Sequence, residues 1–337
     1  MPLIALPPAP VKLVAEGAPR FGLWSGPVAD ATLSALAAPF ARSAFARLLV
    51  EKQWVYTLVS TPELFLCIAI IDAGIVHSCF LGLFDRKSRT LLADTSVVLP
   101  GLGLVKIGEQ PTSLSARIWG PNVQATIVRN GDGATVHADI KGTEVALRLD
   151  GRAEPASLSA CADLGAGRFN FTQKRVGLVA EGTIRHAGRT MAVERGYAGL
   201  DFTHGYLRRK TDWRWAFGMG SVSGRQVAFN FSDGFLGSAP SENTVWLDGV
   251  AHATGAITFQ FDVSNSSTPW LIRSDDGTVD LEFIPEGQRA QKVWTPLMAS
   301  AYVQPFGSFR GRIRTPRGEV IALDEIAGVT EDHSATW

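Results

Sequence analysis

The sequence predicts an all-β protein, either a β-sandwich or a pair of antiparallel barrels, with one helix near the N-terminus. Short apolar runs, alternating or continuous, recur along most of the chain and are separated by turn signals such as Asn130-Gly131-Asp132-Gly133 and Lys141-Gly142-Thr143. Glycine and proline are abundant, 34 and 18 of 337 residues, beside 46% hydrophobic residues, a balance that suits turn-rich strands better than helices. Strands do not alternate with helices as they would in a parallel sheet.

Residues 1–29 are rich in proline and glycine and read as an extended arm laid over a sheet. No basic residue precedes the short apolar start and three prolines interrupt it, so it does not read as a secretory leader. From Asp30 to Val50 the chain is alanine-rich with Leu and Phe at helical spacing; Asp30 is a suitable N-cap and Pro39 should kink or divide the helix. Strands begin at Glu51. The run from Leu64 to Ile71 is too short to cross a bilayer and reads as a strand buried on both faces. Further on, Val145, Leu147 and Leu149 alternate with polar residues, giving one buried side and one wet side. Residues 151–168, rich in Gly, Ala and Ser, read as a linker between two halves. Phe229 and Phe231 alternate with Asn230, which looks outward if the rings pack inward and faces a lumen if the strand lines a gap between sheets. Strands follow at Val279–Ile284, Ser308–Thr315 and Val320–Leu323, and the polar tail from Glu331 reads as a frayed end.

The densest set of polar and aromatic residues lies between Glu194 and Gly220. It gathers Asp201, Thr203, His204, Tyr206, Arg208, Arg209 and Asp212, then places Trp213, Trp215, Phe217 and Met219 at two-residue spacing on one face of a strand. Two readings stand. Acids, a histidine and arginines beside aromatic walls make a site. Arg–Asp pairs and stacked rings equally make a clasp that closes the end of a barrel.

Composition narrows the partners. With 32 basic and 32 acidic residues, and no long basic run, the chain does not suit nucleic acid or an anionic membrane surface, and it contains no integral membrane segment. Three scattered cysteines do not form a disulfide framework, which points to the reducing cytoplasm. The six histidines never occur as H-x-H or H-x-x-x-H, so no metal site is expected. No G-x-S-x-G elbow is present, and the glycines from Gly218 to Gly224 mark a turn, not a nucleotide fingerprint, because no helix follows. No cofactor is implied.

Several spaced motifs resemble one bacterial family, domain of unknown function 2804: Phe169–Lys174 (FNFTQK), Gly196–Ala216, Val227–Gly234 and Glu242–Gly249, with Lys52–Tyr56 (KQWVY) fitting the same pattern. The similarity covers nearly the whole chain and names no activity. More distantly, an Asp, a Gly and a Trp-x-Trp strand resemble the two-lipocalin-barrel group of carotenoid hydratases, tocopherol cyclases and some cycloaddition catalysts. Where the hydratases carry Asp-His-x-Trp-Gly, this chain has Asp201-Phe202-Thr203-His204-Gly205. The resemblance implies two lipocalin-like (calycin-type) antiparallel β-barrels: an arm and short helix over 1–50, a first barrel over 51–165 and a second over 166–337.

Acid–base chemistry in an apolar barrel is then the leading expectation: a cofactor-independent hydratase, cyclase or isomerase acting on a hydrophobic, isoprenoid-like small molecule. Asp201, kept protonated by burial, donates a proton, and His204 or Tyr206 directs water or removes a proton. Arg208 or Arg209, with Asp212, holds a polar end of the substrate. Trp213, Trp215 and Trp246 shield the cation, and Asn230 and Asn243 join the lining. The alternatives are a non-catalytic carrier of an apolar ligand, and a structural clasp in which Asp201 pairs with Arg209. Oligomeric state is not legible.

Overall fold

The computed structural model describes residues 4–151, 157–235, 242–294 and 298–337. It contains a 13-stranded and a 10-stranded antiparallel sheet, each curled around its own core, and one short helix. The fold is all-β and two-barrelled, as expected.

The first sheet joins two meanders through a long hairpin. One meander runs through the strands Glu51–Ser60, Leu64–Asp72, Val76–Asp85 and Thr90–Pro100, the other through five strands between Val105 and Asp150. The hairpin Arg168–His186 with Arg189–Tyr206 binds the second meander on one side and Glu51–Ser60 on the other. The second sheet starts at Lys210–Val222, and the last strand, Val320–Thr336, returns to lie against it. Ile4–Ala5 of the arm pairs with the edge strand Val250–Ala253 of this second sheet.

A third core lies between the sheets. Leu64, Leu66, Ile68 and Ile70 enter the first core, whereas Phe65, Cys67 and Ala69 enter the seam, which explains an apolar run without alternation. In Lys210–Val222, Trp215, Phe217 and Met219 also face the seam, while Ala216 faces the second core. The same parity settles the alternative left open at Asn230: Phe229 and Phe231 fill the second core, so Asn230 points the other way, toward the first sheet. Cys67, Cys79 and Cys161 are free and buried.

Several expectations are corrected. Of the helix expected from Asp30, only Ala44–Val50 forms, capped by Ser43, whose side chain accepts from Ala46 N. Residues 29–31 bond instead to other segments, Asp30 N and Ala29 N to Val11 O and Ala31 N to Glu109 O, and the Asp30 carboxylate caps only a local turn at Thr32. Pro39, without a donor, cannot join the two parts. The linker is largely a strand: residues 152–156 lie outside the described residues, but Ser157–Gly165 sits between Arg168–His186 and Gly22–Ser25. Its small side chains are buried on both faces, so no alternation marks it. Both strands of the long hairpin belong to the first sheet, and the chain passes to the second after Tyr206, not at 166. The tail from Glu331 is not frayed; it is paired on both sides, to Lys210–Trp215 and to Ala299–Val303. Among the described residues, no helix is long and apolar enough to cross a membrane.

The sheets approach closely where Gly199 faces Phe217 and Met219. A Cβ there would lie 2.5 Å from the Phe217 ring and 2.7 Å from the Met219 methyl. Gly199→Ala is therefore expected to cost roughly 1–3 kcal/mol by overpacking, seen as a lower urea midpoint. A midpoint equal to that of the natural protein would mean that the seam is looser than this packing implies.

Candidate functional site

Strand register brings the polar residues of the seam together. Residues two apart share a face, and pairing aligns these faces in rows across the sheet. One row of the first sheet runs Lys174, Asp201, Tyr56, Ala69, Phe80, Ser96; the next runs Thr172, Thr203, Trp54, Ile71, Ser78, Val98. Facing them, a row of the second sheet runs Trp213, His333, Tyr302, Gln291. These rows, with Trp215, Glu242, Arg289 and Glu331, line a cavity of about 160 Å³ between the sheets. An apolar hole of about 150 Å³ takes a benzene-sized guest.

Lys174 is the charged centre of one wall. It is 4% exposed, and its Nζ lies 2.7 Å from Asp201 Oδ1, 3.5 Å from Glu242 Oε2 and 5.5 Å from the centre of the Trp215 ring. Thr172 Oγ1 donates to Asp201 Oδ1 at 3.1 Å. Burial disfavours the Lys174 ammonium, but Asp201 and Glu242 more than offset it and raise its pKa. Burial raises the pKa of Glu242; Lys174 counters this and the Asp201 charge adds to it, for a net upward shift. One ammonium facing two buried carboxyls leaves a surplus negative charge unless one of them keeps its proton, and Glu242 Oε2 has no hydrogen-bond partner.

A second polar group lines the opposite wall. Glu331 accepts from Trp213 Nε1 at 2.8 Å and from Gln304 Nε2 at 2.9 Å, and His333 Nδ1 is 3.5 Å away. The His333 ring packs 4.1 Å from that of Trp213, centre to centre, and its Nε2 meets Ser300 Oγ at 2.8 Å. Arg289 is buried against Phe80 and Tyr302, bonded to Asp94 and Ser96.

The expected site residues divide. Asp201, Trp213 and Trp215 line the cavity. His204 and Tyr206 do not join them, because an offset of three or five residues along a strand puts a side chain on the opposite face. His204 instead meets Glu51, Nε2 to Oε1, at 2.9 Å, and Tyr206 packs in the first core against Phe169. The partner of Asp201 is Lys174, not Arg209. Arg208 donates to Leu164 O, and Arg208, Arg209 and Asp212 are exposed, away from the cavity. Trp246 packs in the seam core, outside the cavity lining. Asn230 and Asn243 act one step back: Asn230 accepts from Trp215 Nε1 at 2.8 Å and donates to Glu242 O at 3.0 Å, while Asn243 Oδ1 accepts from Ser232 N at 2.7 Å. They hold the indole and the backbone that carries Glu242.

Lys174, Glu242, Arg289, Tyr302, Glu331 and His333 escaped the sequence reading. A signal existed for the first: Asn170, Thr172 and Lys174 form a polar stripe between Phe169 and Phe171, which fill the first core.

Glu51, Glu109 and His204 form a separate cluster with donor atoms within 4.8 Å of one another. Arg47 occupies it, bonded to Glu51 at 2.9 Å and 3.9 Å from Glu109, so a fixed cation already balances these acids. Burial would raise the Glu51 pKa, but the bonds from Arg47 and His204 prevail and hold it at about 2, below its ordinary 4.5. The stabilisation is present above pH 4.5 and is lost as pH falls toward about 2. Glu51→Gln should flatten the acid limb of a stability–pH profile across this window; an unchanged limb would place the acid sensitivity elsewhere.

Fold and cavity define a two-barrel, lipocalin-like protein with a largely apolar, aromatic hollow between its sheets that carries a few buried charged groups. The chain belongs to the family described as domain of unknown function (DUF2804), whose model matches residues 8–337. Its fold is similar to that of a Nitrosomonas europaea protein given the AttH name (TM-score 0.52, 14% identity, 89% of this chain and 96% of that one). It is also similar to that of CghA solved with Sch210972 (TM-score 0.52, 9% identity, 86% and 88% covered). Kievitone hydratase from Nectria haematococca aligns at a TM-score of 0.46 with 10% identity over 89% and 94% of the two chains. A search of curated protein sequences gave no match.

Proposed function

We propose that this protein is a cofactor-independent acid–base enzyme, of hydratase, cyclase or isomerase type, acting on an apolar small molecule held between its barrels. The observation that carries the reading is the buried Lys174–Asp201–Glu242 group in the wall of an aromatic cavity. Glu242 is the proton donor, since burial and the neighbouring Asp201 charge favour its acid form. Asp201, held against Lys174, supplies the neighbouring charge that keeps it so, opposed by Lys174 itself. A buried carboxyl with a raised pKa in the wall of an apolar cavity is the kind of group that supplies a proton to a substrate there, and Glu242 fits that pattern. Trp54, Phe235 and Trp337 supply a wall of rings on which a hydrophobic, isoprenoid-like body can lie. Proton transfer by a positioned side chain contributes about 10²–10⁴-fold in rate.

The test is incubation of the purified protein with an apolar metabolite extract, followed by mass spectrometry. The reading expects one compound to be consumed while another appears that is isomeric with it or differs by one water. A bound compound recovered unaltered after long incubation would make the protein a carrier instead. No bound or consumed compound would remove both readings.

A further inference from the structure

The wall of the cavity built by Arg289 and Tyr302 carries hydrogen-bond donors that the protein itself does not use. Arg289, on the strand Val279–Trp294, is 1% exposed. Its Nε donates to Asp94 Oδ1 at 3.0 Å and its Nη2 to Ser96 Oγ at 3.2 Å, but Nη1 is buried without a partner. The hydroxyl of Tyr302 is likewise buried: its oxygen faces the Arg289 guanidinium without a well-formed hydrogen bond, and its proton has no acceptor in the protein. The two are neighbours, the guanidinium carbon lying 5.0 Å from the Tyr302 ring centre and 4.1 Å from that of Phe80, and all three side chains line the cavity. Buried donors are nearly always satisfied, so a pair left open beside a cavity calls for an acceptor from outside the chain.

Charge selects the kind of acceptor. Asp94 already balances Arg289, Asp201 balances Lys174, and Glu331 lines the same cavity with only neutral donors and His333 near it. A further full negative charge would be unfavourable there, whereas an uncharged sp² oxygen would satisfy both donors without upsetting the balance. Burial also pushes the Tyr302 hydroxyl well above its ordinary range, with Arg289 countering only in part, so it keeps its proton and acts as a donor.

We propose that the Arg289–Tyr302 wall binds the carbonyl oxygen of an uncharged, otherwise apolar ligand. This rests on the cavity being the binding site, and it narrows the substrate class to ketones, enones or esters in place of hydrocarbons and carboxylates.

Three one-ring probes of similar size, matched to a cavity of about 160 Å³, test it: acetophenone, ethylbenzene and benzoate, titrated into the full-length protein with tryptophan fluorescence or calorimetry as readout. The ketone is expected to bind about tenfold more tightly than the hydrocarbon, the effect of one well-made buried hydrogen bond, and more tightly than the carboxylate. Tyr302→Phe, which keeps the ring and removes only the hydroxyl, should weaken the ketone about fivefold or more and leave the hydrocarbon unchanged. Arg289→Met leaves Asp94 without its partner and risks the fold, so the Tyr302 variant carries the test. Equal binding of ketone and hydrocarbon, a preference for the carboxylate, or equal effects of Tyr302→Phe on both uncharged probes would overturn the proposal while leaving the cavity reading intact. Absence of binding by all three would overturn both.

Discussion

Replacing Lys174 with methionine is expected to destabilise the protein by about 3–5 kcal/mol, the usual cost of removing one partner from a buried ion pair. Lys174 is 4% exposed and Asp201 7%, so water does little to screen their 2.7 Å contact. Methionine preserves most of the side-chain volume, and the loss therefore reports on charge and not on a cavity. Without the ammonium, Asp201 keeps one hydrogen bond from Thr172, and Glu242 stands near it with no balancing cation. The deficit should shrink as pH falls, because protons can neutralise the abandoned carboxyls. Adding Asp201→Asn should recover part of it. Urea denaturation of the single and double variants measures both effects, and a cost under about 1 kcal/mol would mean that the pair is screened like a surface one.

Glu242→Gln carries the largest expected effect on turnover, a fall of about 10²–10⁴-fold with ligand affinity little changed. The amide keeps the shape and cannot give up a proton. Burial, opposed by Lys174 and reinforced by Asp201, raises the Glu242 pKa above its ordinary 4.5. Activity that depends on its acid form must therefore fall as pH rises through that raised value. Stability has the same sign: the contribution of protonated Glu242 is complete below 4.5 and is lost as pH rises through the folded-state pKa. The amide does not titrate and would lack this dependence, so the variant should match or exceed the natural protein in stability at neutral pH. Full turnover by the variant would remove Glu242 as the donor and leave Asp201 as the next carboxyl to test.

The polar cluster between Glu194 and Gly220 shows how far a linear reading reaches. Strand parity was legible there: Trp213 and Trp215 at two-residue spacing do share a face, and that face does look into the cavity. The same parity, applied to Asp201, His204 and Tyr206, would have separated the acid from its two supposed helpers, since residues at odd offsets oppose each other. The helix expected from Asp30 failed for a different reason. Its spacing was helical, but residues 29–31 found hydrogen-bond partners in Val11 and Glu109, and those contacts outweighed local propensity.

From the linear chain alone came the β class, the turns and the double burial of Leu64–Ile70, because each depends on periodicity or composition within a short window, and the family resemblance, because motif spacing along the chain is itself linear information. Tertiary structure decided the seam between the sheets, and with it the partnership of Lys174 with Asp201 and Glu242. It also decided the position of Arg289 beside Tyr302 and the incorporation of Glu331 and His333 into a wall. These residues come from distant strands whose register and sheet membership are set by long-range pairing, and no local pattern encodes which rows will face each other.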